Sequence, residues 1–242
     1  MAISAEAQDG PPDADRIVRW HSTAFLNMWG DDRGKGARTF AARLPRMVGD
    51  LVAGRPEVIG LCEVTDLLEP SVTVALEATG YVKIAHSHRL SIFALPEVEK
   101  ASGDFYRYPK QNKGAIEGIL RQRLKIGGSW IHYGVTHLDY RDGFEEGRVQ
   151  QMRQGIRAME SFARRWTLPR WRTRSVILGD LNSRRRVVEK ALQPAGFKDV
   201  GAGGRIDVIA VGRGRVVLSA SKQRTASDHP VVRATFGKII VG

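Results

Sequence analysis

The chain has 242 residues, 38 basic against 26 acidic, giving a formal net charge of +12, and its 42 % hydrophobic residues and five tryptophans suffice for a sizeable core. No apolar run reaches the roughly 18 residues that would suggest a membrane span. The single cysteine, Cys62, excludes an internal disulfide and fits a reducing, cytoplasmic compartment.

Residues 1–15 lack the basic and apolar regions of a secretory leader, so they are expected to be a disordered lead-in to a single domain over 16–242. Ile17 to Met28 reads as a first strand ending near Asn27, followed by a Gly- and Asp-rich loop. A helix is predicted from about Arg38 to Ala53, with an apolar stripe of Leu44, Val48 and Leu51 and a kink at Pro45. V-I-G-L-C-E-V reads as a buried strand carrying Glu63. Ser71 to Thr79 suggests a short helix closed by Gly80. Strands are predicted at Tyr81–Ala85, Leu90–Leu95, Ala115–Ile126 and Trp130–Leu138, with Gly127-Gly128 as a hairpin turn.

Asp142 and Glu145 have capping-box spacing before a helix that runs to about Trp166. Val149, Met152, Ile156, Met159 and Phe162 form its apolar stripe, which leaves Arg153, Arg157 and Arg164 facing solvent. A further buried strand, V-I-L-G-D, precedes a helix around Val187–Gln193. The runs R-I-D-V-I-A-V, R-V-V-L-S-A and S-D-H-P-V-V-R-A-T-F complete a mixed α/β domain.

Charge and polar residues are unevenly placed. Eleven arginines but only two acidic residues, Glu160 and Asp180, lie between Arg148 and Arg186. A solvated surface explains some of this, but such a cluster also suits a polyanion, most often nucleic acid. In V-I-L-G-D-L-N-S-R-R-R, Gly179 breaks an apolar run and leaves Asp180 and Asn182 past a strand end. Such a pair can bind a metal, orient a water or cap a helix. Asn27, Glu63, His137, Asp207, Asp228 and His229 also lie within or just past strand-like runs. Each alone is readily a cap, a turn or a hydrogen-bonded core residue, and Cys62 reads as a small core residue. Glu63 is harder to dismiss, since buried carboxylates are rare unless paired or metal-bound.

Taken in order, F-L-N-M, V-I-G-L-C-E-V, Y-G-V-T-H-L-D, V-I-L-G-D-L-N-S, G-R-I-D-V-I and S-D-H-P-V resemble the endonuclease/exonuclease/phosphatase superfamily over Ile17 to Phe236. The resemblance implies a four-layer α/β sandwich, two packed mixed β-sheets flanked by helices, with the site where strand ends converge. It implies that Glu63 is the main ligand of a divalent metal, with Asn27 beside it and Asp228 a further acidic contributor. By the same resemblance Asp180 and Asn182 hold the attacking water and the phosphate. His229, oriented by Asp207, stands at the scissile phosphate, and His137 is the second site histidine.

Oxygen and amide donors without cysteine suit Mg²⁺ or Mn²⁺, which would offset charge building on a phosphodiester. The expected activity is therefore a metal-dependent nuclease acting on DNA or RNA. The protein is expected to act as a monomer, with Arg184, Arg185 and Arg186 meeting flanking phosphates. A phosphatase or phosphodiesterase acting on a phosphoinositide, sphingolipid or small nucleotide is the alternative, and a non-catalytic binding module a third reading. G-A-G-G-R-I-D has Gly203 and Gly204 where the abasic-site endonuclease branch has an aromatic residue, which argues against that specialised role.

Overall fold

A computed structural model describes residues 17–29, 39–109, 116–166, 174–200, 206–212 and 215–239. The expected lead-in and Gly203-Gly204 lie outside them. In chain order the elements are β1 (Ile17–Asn27), α1 (Phe40–Val52), β2 (Val58–Cys62), α2 (Glu69–Glu77), β3 (Val82–Ser87), β4 (Leu90–Ala94), β5 (Glu99–Arg107), β6 (Gly118–Ile126) and β7 (Ser129–His137). There follow α3 (Glu145–Arg164), β8 (Ser175–Asp180), α4 (Arg185–Leu192), β9 (Phe197–Asp199), β10 (Asp207–Gly212), β11 (Val216–Gln223) and β12 (Val231–Ile239).

Among the described residues the strands form two six-stranded sheets, ordered β11-β12-β1-β2-β4-β3 and β5-β6-β7-β8-β10-β9. Their facing sides bury one core, in which Leu26 and Leu61 of the first sheet join Val135, Leu178 and Ile209 of the second. The stripe of α1 (Leu44, Met47, Leu51) and Val72 and Leu76 of α2 cover the outer face of the first sheet. Met152, Ile156 and Met159 of α3, with Ala191 and Leu192 of α4, cover the second. This is the four-layer sandwich expected from the sequence.

Each sheet contains one parallel pair. β1 runs with β2, setting Asn27 beside Cys62, and β7 runs with β8, setting His137 beside Asp180. β10 runs antiparallel to β8 and begins opposite its end, so Asp207 also lies beside Asp180. These registers bring the polar strand ends to one edge. The sheets can close on each other because Gly60 has no side chain: a Cβ there would lie 2.6 Å from Leu178 Cδ1.

Several local expectations change. Gly179 does not end its strand; a Cβ there would come within 2.6 Å of the Thr136 carbonyl oxygen, so glycine permits β7 and β8 to pair through Asp180. The capping box before α3 is absent: Phe144 is the N-cap and no side chain caps it, while Glu145 and Glu146 oppose the positive end of the helix instead. α1 continues through Pro45 as one helical span. β5 and β9 went unpredicted, because one is an exposed edge strand without alternation and the other has three residues. Arg148, counted with the basic cluster, is buried: it donates from Nε to Ser183 and from Nη1 to the Asp139 and Arg141 carbonyls. It clamps the loop after β7 to the loop after β8.

His132 sits on the helix-facing side of β7, edge-on to Phe162 with ring centroids 5.9 Å apart. Burial, then the charge of Arg123, pushes its ring down to about 4. Burial, then Arg215 and Arg19, also holds His21 well below its ordinary value. In the unfolded chain such rings titrate near 6.5, so below that pH the unfolded state binds more protons. The stabilisation from a neutral His132 is complete above about 6.5, declines as pH falls and is exhausted near 4, with a slope of at most about 1.4 kcal/mol per pH unit. Urea unfolding at pH 7 and pH 5 should show His132→Leu losing less stability than wild type over this interval; equal losses would show that the ring is not held neutral.

Candidate active site

The carboxyl ends of β1, β2, β7 and β8, the start of β10 and the loop before β12 supply the side chains. Asn27, fully buried at the end of β1, directs its amide nitrogen at two carboxylates: Nδ2 donates to Glu63 Oε1 and to Asp180 Oδ2, both at 2.9 Å. The amide orientation follows from its other atom, because Oδ1 accepts the Trp29 backbone N–H at 2.9 Å and that group can only donate. Glu63 is not inside the strand as expected. β2 stops at Cys62, and Glu63 follows with φ of 59° and its side chain 25 % exposed. A left-handed backbone is costly for a residue other than glycine, and here it accompanies a carboxylate turned toward solvent and the second sheet. The Cys62 thiol is fully buried; burial and then the charges of Asp180, Glu63 and Asp207 raise it, so it stays protonated.

Asp180 is 1 % exposed and satisfied from both sheets. Its Oδ2 accepts from Asn27 and its Oδ1 accepts the Asn182 backbone N–H at 2.8 Å, where Asn182 turns back with φ of 45°. Asn182 Nδ2 donates to the Leu138 carbonyl at 2.8 Å and lies 2.9 Å from His137 Nε2. Since Nδ2 cannot accept, His137 Nε2 is the acceptor and the neutral ring carries its proton on Nδ1. That Nε2 atom is 3.7 Å from both Glu63 Oε1 and Asp180 Oδ2.

Asp207 meets His229 Nδ1 with both carboxylate oxygens, each at 3.0 Å, so Nδ1–H donates and Nε2 is the ring atom left toward the edge. Nδ1 is 3.6 Å from Asp180 Oδ2, and Nε2 is 3.8 Å from the exposed Asp228. Burial opposes charge on this ring, but the hydrogen bond and charge of Asp207, with Asp180 and Asp228, outweigh it and raise His229 to about 9. Ser227, to which the sequence reading gave no role, holds this loop: its hydroxyl donates to the Asn27 carbonyl at 2.7 Å and accepts the His229 N–H at 3.2 Å. The Ser-X-His spacing is a signal for that turn.

The eight sequence candidates therefore occupy one edge. Asp180, Asp207 and His229 offer ligand atoms within 4.8 Å of one another. Among the described residues, the basic side chains within 4 Å of the Glu63, Asp180 and Asp207 carboxylates are His137 and His229. Oxygen donors without a lysine or arginine to neutralise them suit a hard divalent cation. The flanks are basic. Arg184, exposed, immediately precedes α4, and Arg185 and Arg186 are in the first helical turn. Lys222 and Arg224 line an open groove of about 450 Å³ beside Asp228 and His229 and were not among the sequence candidates.

The same fold is found in solved structures of low sequence identity. An endonuclease/exonuclease/phosphatase family protein from Bacteroides thetaiotaomicron is 15 % identical to this chain, with a TM-score of 0.73 over 91 % of this chain and 98 % of its own. D. rerio TDP2, solved in complex with a single-strand DNA product, is 16 % identical, with a TM-score of 0.70 over 90 % and 99 %. The B. thetaiotaomicron mannosyl-6-phosphatase Bt3783 is 16 % identical, with a TM-score of 0.73 over 89 % and 99 %. No protein-family model matches the sequence, and no curated protein matches it.

Removing the Asn27 amide leaves two carboxylates without a shared donor at a buried position. Asn27→Ala should destabilise the metal-free protein by about 1–3 kcal/mol, read from urea unfolding. A change within a few tenths of a kcal/mol would show that the amide does not hold the two sheets together here.

Proposed function

We propose that the protein is a divalent-metal-dependent phosphodiester hydrolase whose substrate is nucleic acid. The observation that carries this reading is the convergence of Glu63, Asp180 and Asp207 at one edge, with two histidines beside them and cationic side chains on the flanks. Glu63 holds the cation, with Asp228 on the solvent side. Asn27, whose amide nitrogen faces the carboxylates, positions Glu63 and Asp180. A bound Mg²⁺ or Mn²⁺ would polarise a phosphoryl oxygen and offset its charge. Asp180 and Asn182 orient the attacking water, and Asp207 holds the His229 ring through Nδ1–H and favours its charged form, so that Nε2–H faces the phosphate. His137 Nε2 receives a hydrogen bond from Asn182 and stands across from Glu63.

Nucleic acid is favoured over a small ester by the net charge of +12, by the exposed Arg184 that follows the Asp180 strand end, and by Arg224 in the groove beside His229. The alternative, a phosphatase or a phosphodiesterase for a lipid or small phosphoester, draws support from the fold shared with the mannosyl-6-phosphatase.

Hydrolysis of bis(p-nitrophenyl) phosphate and of DNA should require Mg²⁺ or Mn²⁺ and stop in excess EDTA. His229→Ala and Asp180→Asn should each lower kcat by roughly 10²–10⁴-fold. Wild-type turnover that persists in EDTA would sink the reading. The salt dependence of DNA binding decides the substrate: the double variant Arg184→Ser/Arg224→Ser should flatten the log–log slope by about 0.9 per lost phosphate contact. An unchanged slope would favour the small phosphoester.

A further inference from the structure

An open groove of about 660 Å³ leads away from the catalytic edge, with His137 as one of its walls. Its lining mixes polar groups, among them Asp66 and Glu117, with exposed flat or apolar side chains: Leu67 is 87 % exposed, Tyr140 75 % and Ile116 50 %. Its far wall is the turn between β3 and β4. Ser87 pairs with Leu90, so the loop is the two residues His88 and Arg89, and both have positive φ, 47° and 66°. A two-residue hairpin of that kind favours Asn-Gly, because a left-handed backbone costs other residues about 1–2 kcal/mol each. A histidine and an arginine there carry strain that the hairpin itself does not need, and such strain concentrates where side chains have another task.

Both residues are held in place. The His88 ring stacks on Phe105 with centroids 4.2 Å apart and planes 20° apart, and its Nδ1 lies 2.6 Å from the Ser87 hydroxyl. The Arg89 carbonyl accepts the Val64 N–H at 3.1 Å, which ties the turn to the residue that follows Glu63. A prestacked, exposed ring and an exposed arginine thus sit on a turn whose backbone is tied to the segment that carries Glu63. Across the groove stands Tyr140, three residues beyond His137.

We propose that this groove seats a planar heteroaromatic ring attached to the scissile phosphoester, a nucleobase, with the His88–Arg89 turn and Tyr140 as the elements that select for it. This rests on the hydrolase reading and narrows its substrate class to nucleotides. Exposed aromatic rings bind any base through its face without needing its edge, whereas a sugar phosphate offers no such face and the groove is too open to enclose an acyl chain.

Calorimetry in Mg²⁺ buffer with a nucleoside 5′-monophosphate, ribose 5-phosphate and a short-chain phosphatidic acid tests this directly. The nucleotide should bind wild type on the order of tenfold more tightly than ribose 5-phosphate. Tyr140→Ala should bring that ratio toward one. So should the double variant His88→Asn/Arg89→Gly, which should also melt at a higher temperature than wild type because its turn is relaxed. Equal affinities in wild type, a ratio that survives both variants, or tightest binding of the lipid would overturn the proposal. Failure of the underlying reading looks different: the base preference in binding would persist while no phosphodiester is hydrolysed in any metal.

Discussion

The site depends on one amide nitrogen. Asn27 Nδ2, at the end of a strand in the first sheet, donates both to Glu63, just past the neighbouring strand of that sheet, and to Asp180 on the other sheet. Two carboxylates within reach of a single donor repel each other; unit charges about 4 Å apart interact by roughly 4 kcal/mol at an effective dielectric constant near 20. A neutral amide satisfies their lone pairs without cancelling their charge. A lysine in the same place would have neutralised the edge and left nothing for a cation to do. The arrangement therefore keeps negative charge concentrated at the junction of two sheets, with the histidines beside it and arginines further out.

That charge pattern fits a phosphodiester. A phosphodiester is itself anionic, so a purely acidic edge would repel it, and a purely basic edge would bind it without activating water. The proposed centre, acidic, completed by a divalent cation and bordered by Arg184, Lys222 and Arg224, would do both. Rigidity comes from the registers. Gly179 lets β8 lie close against β7, and Gly60 lets the two sheets approach, so Asp180 is positioned by backbone pairing. Arg148 and Ser227 then pin the loops that have no such pairing.

Much of this was legible in the sequence because buried strands announce themselves as continuous apolar runs, and polar residues at their ends stand out against them. Asn27, Glu63, His137, Asp180, Asn182, Asp207, Asp228 and His229 were all visible for that reason. The layers followed from the resemblance, and the stripes on α1 and α3 from their period. What stayed hidden depends on packing across the chain. Arg148 looks like one more surface arginine until α3 docks against two loops. Gly179 looks like a strand breaker until Thr136 is seen beside it. The turn at His88 and Arg89 lacks the Asn-Gly pair that marks hairpins, so only the backbone shows that it is one. β5, an exposed edge strand, has no apolar alternation to read.

The most direct test is where a cation sits. Crystals soaked in Mn²⁺ and measured at the manganese absorption edge should give an anomalous peak bonded to a Glu63 carboxylate oxygen, and the peak should be lost in Glu63→Gln. A peak held only by Asp180, Asp207 and His229, or no peak at a concentration that supports turnover, would contradict the assignment of Glu63 as the residue around which the chemistry is built.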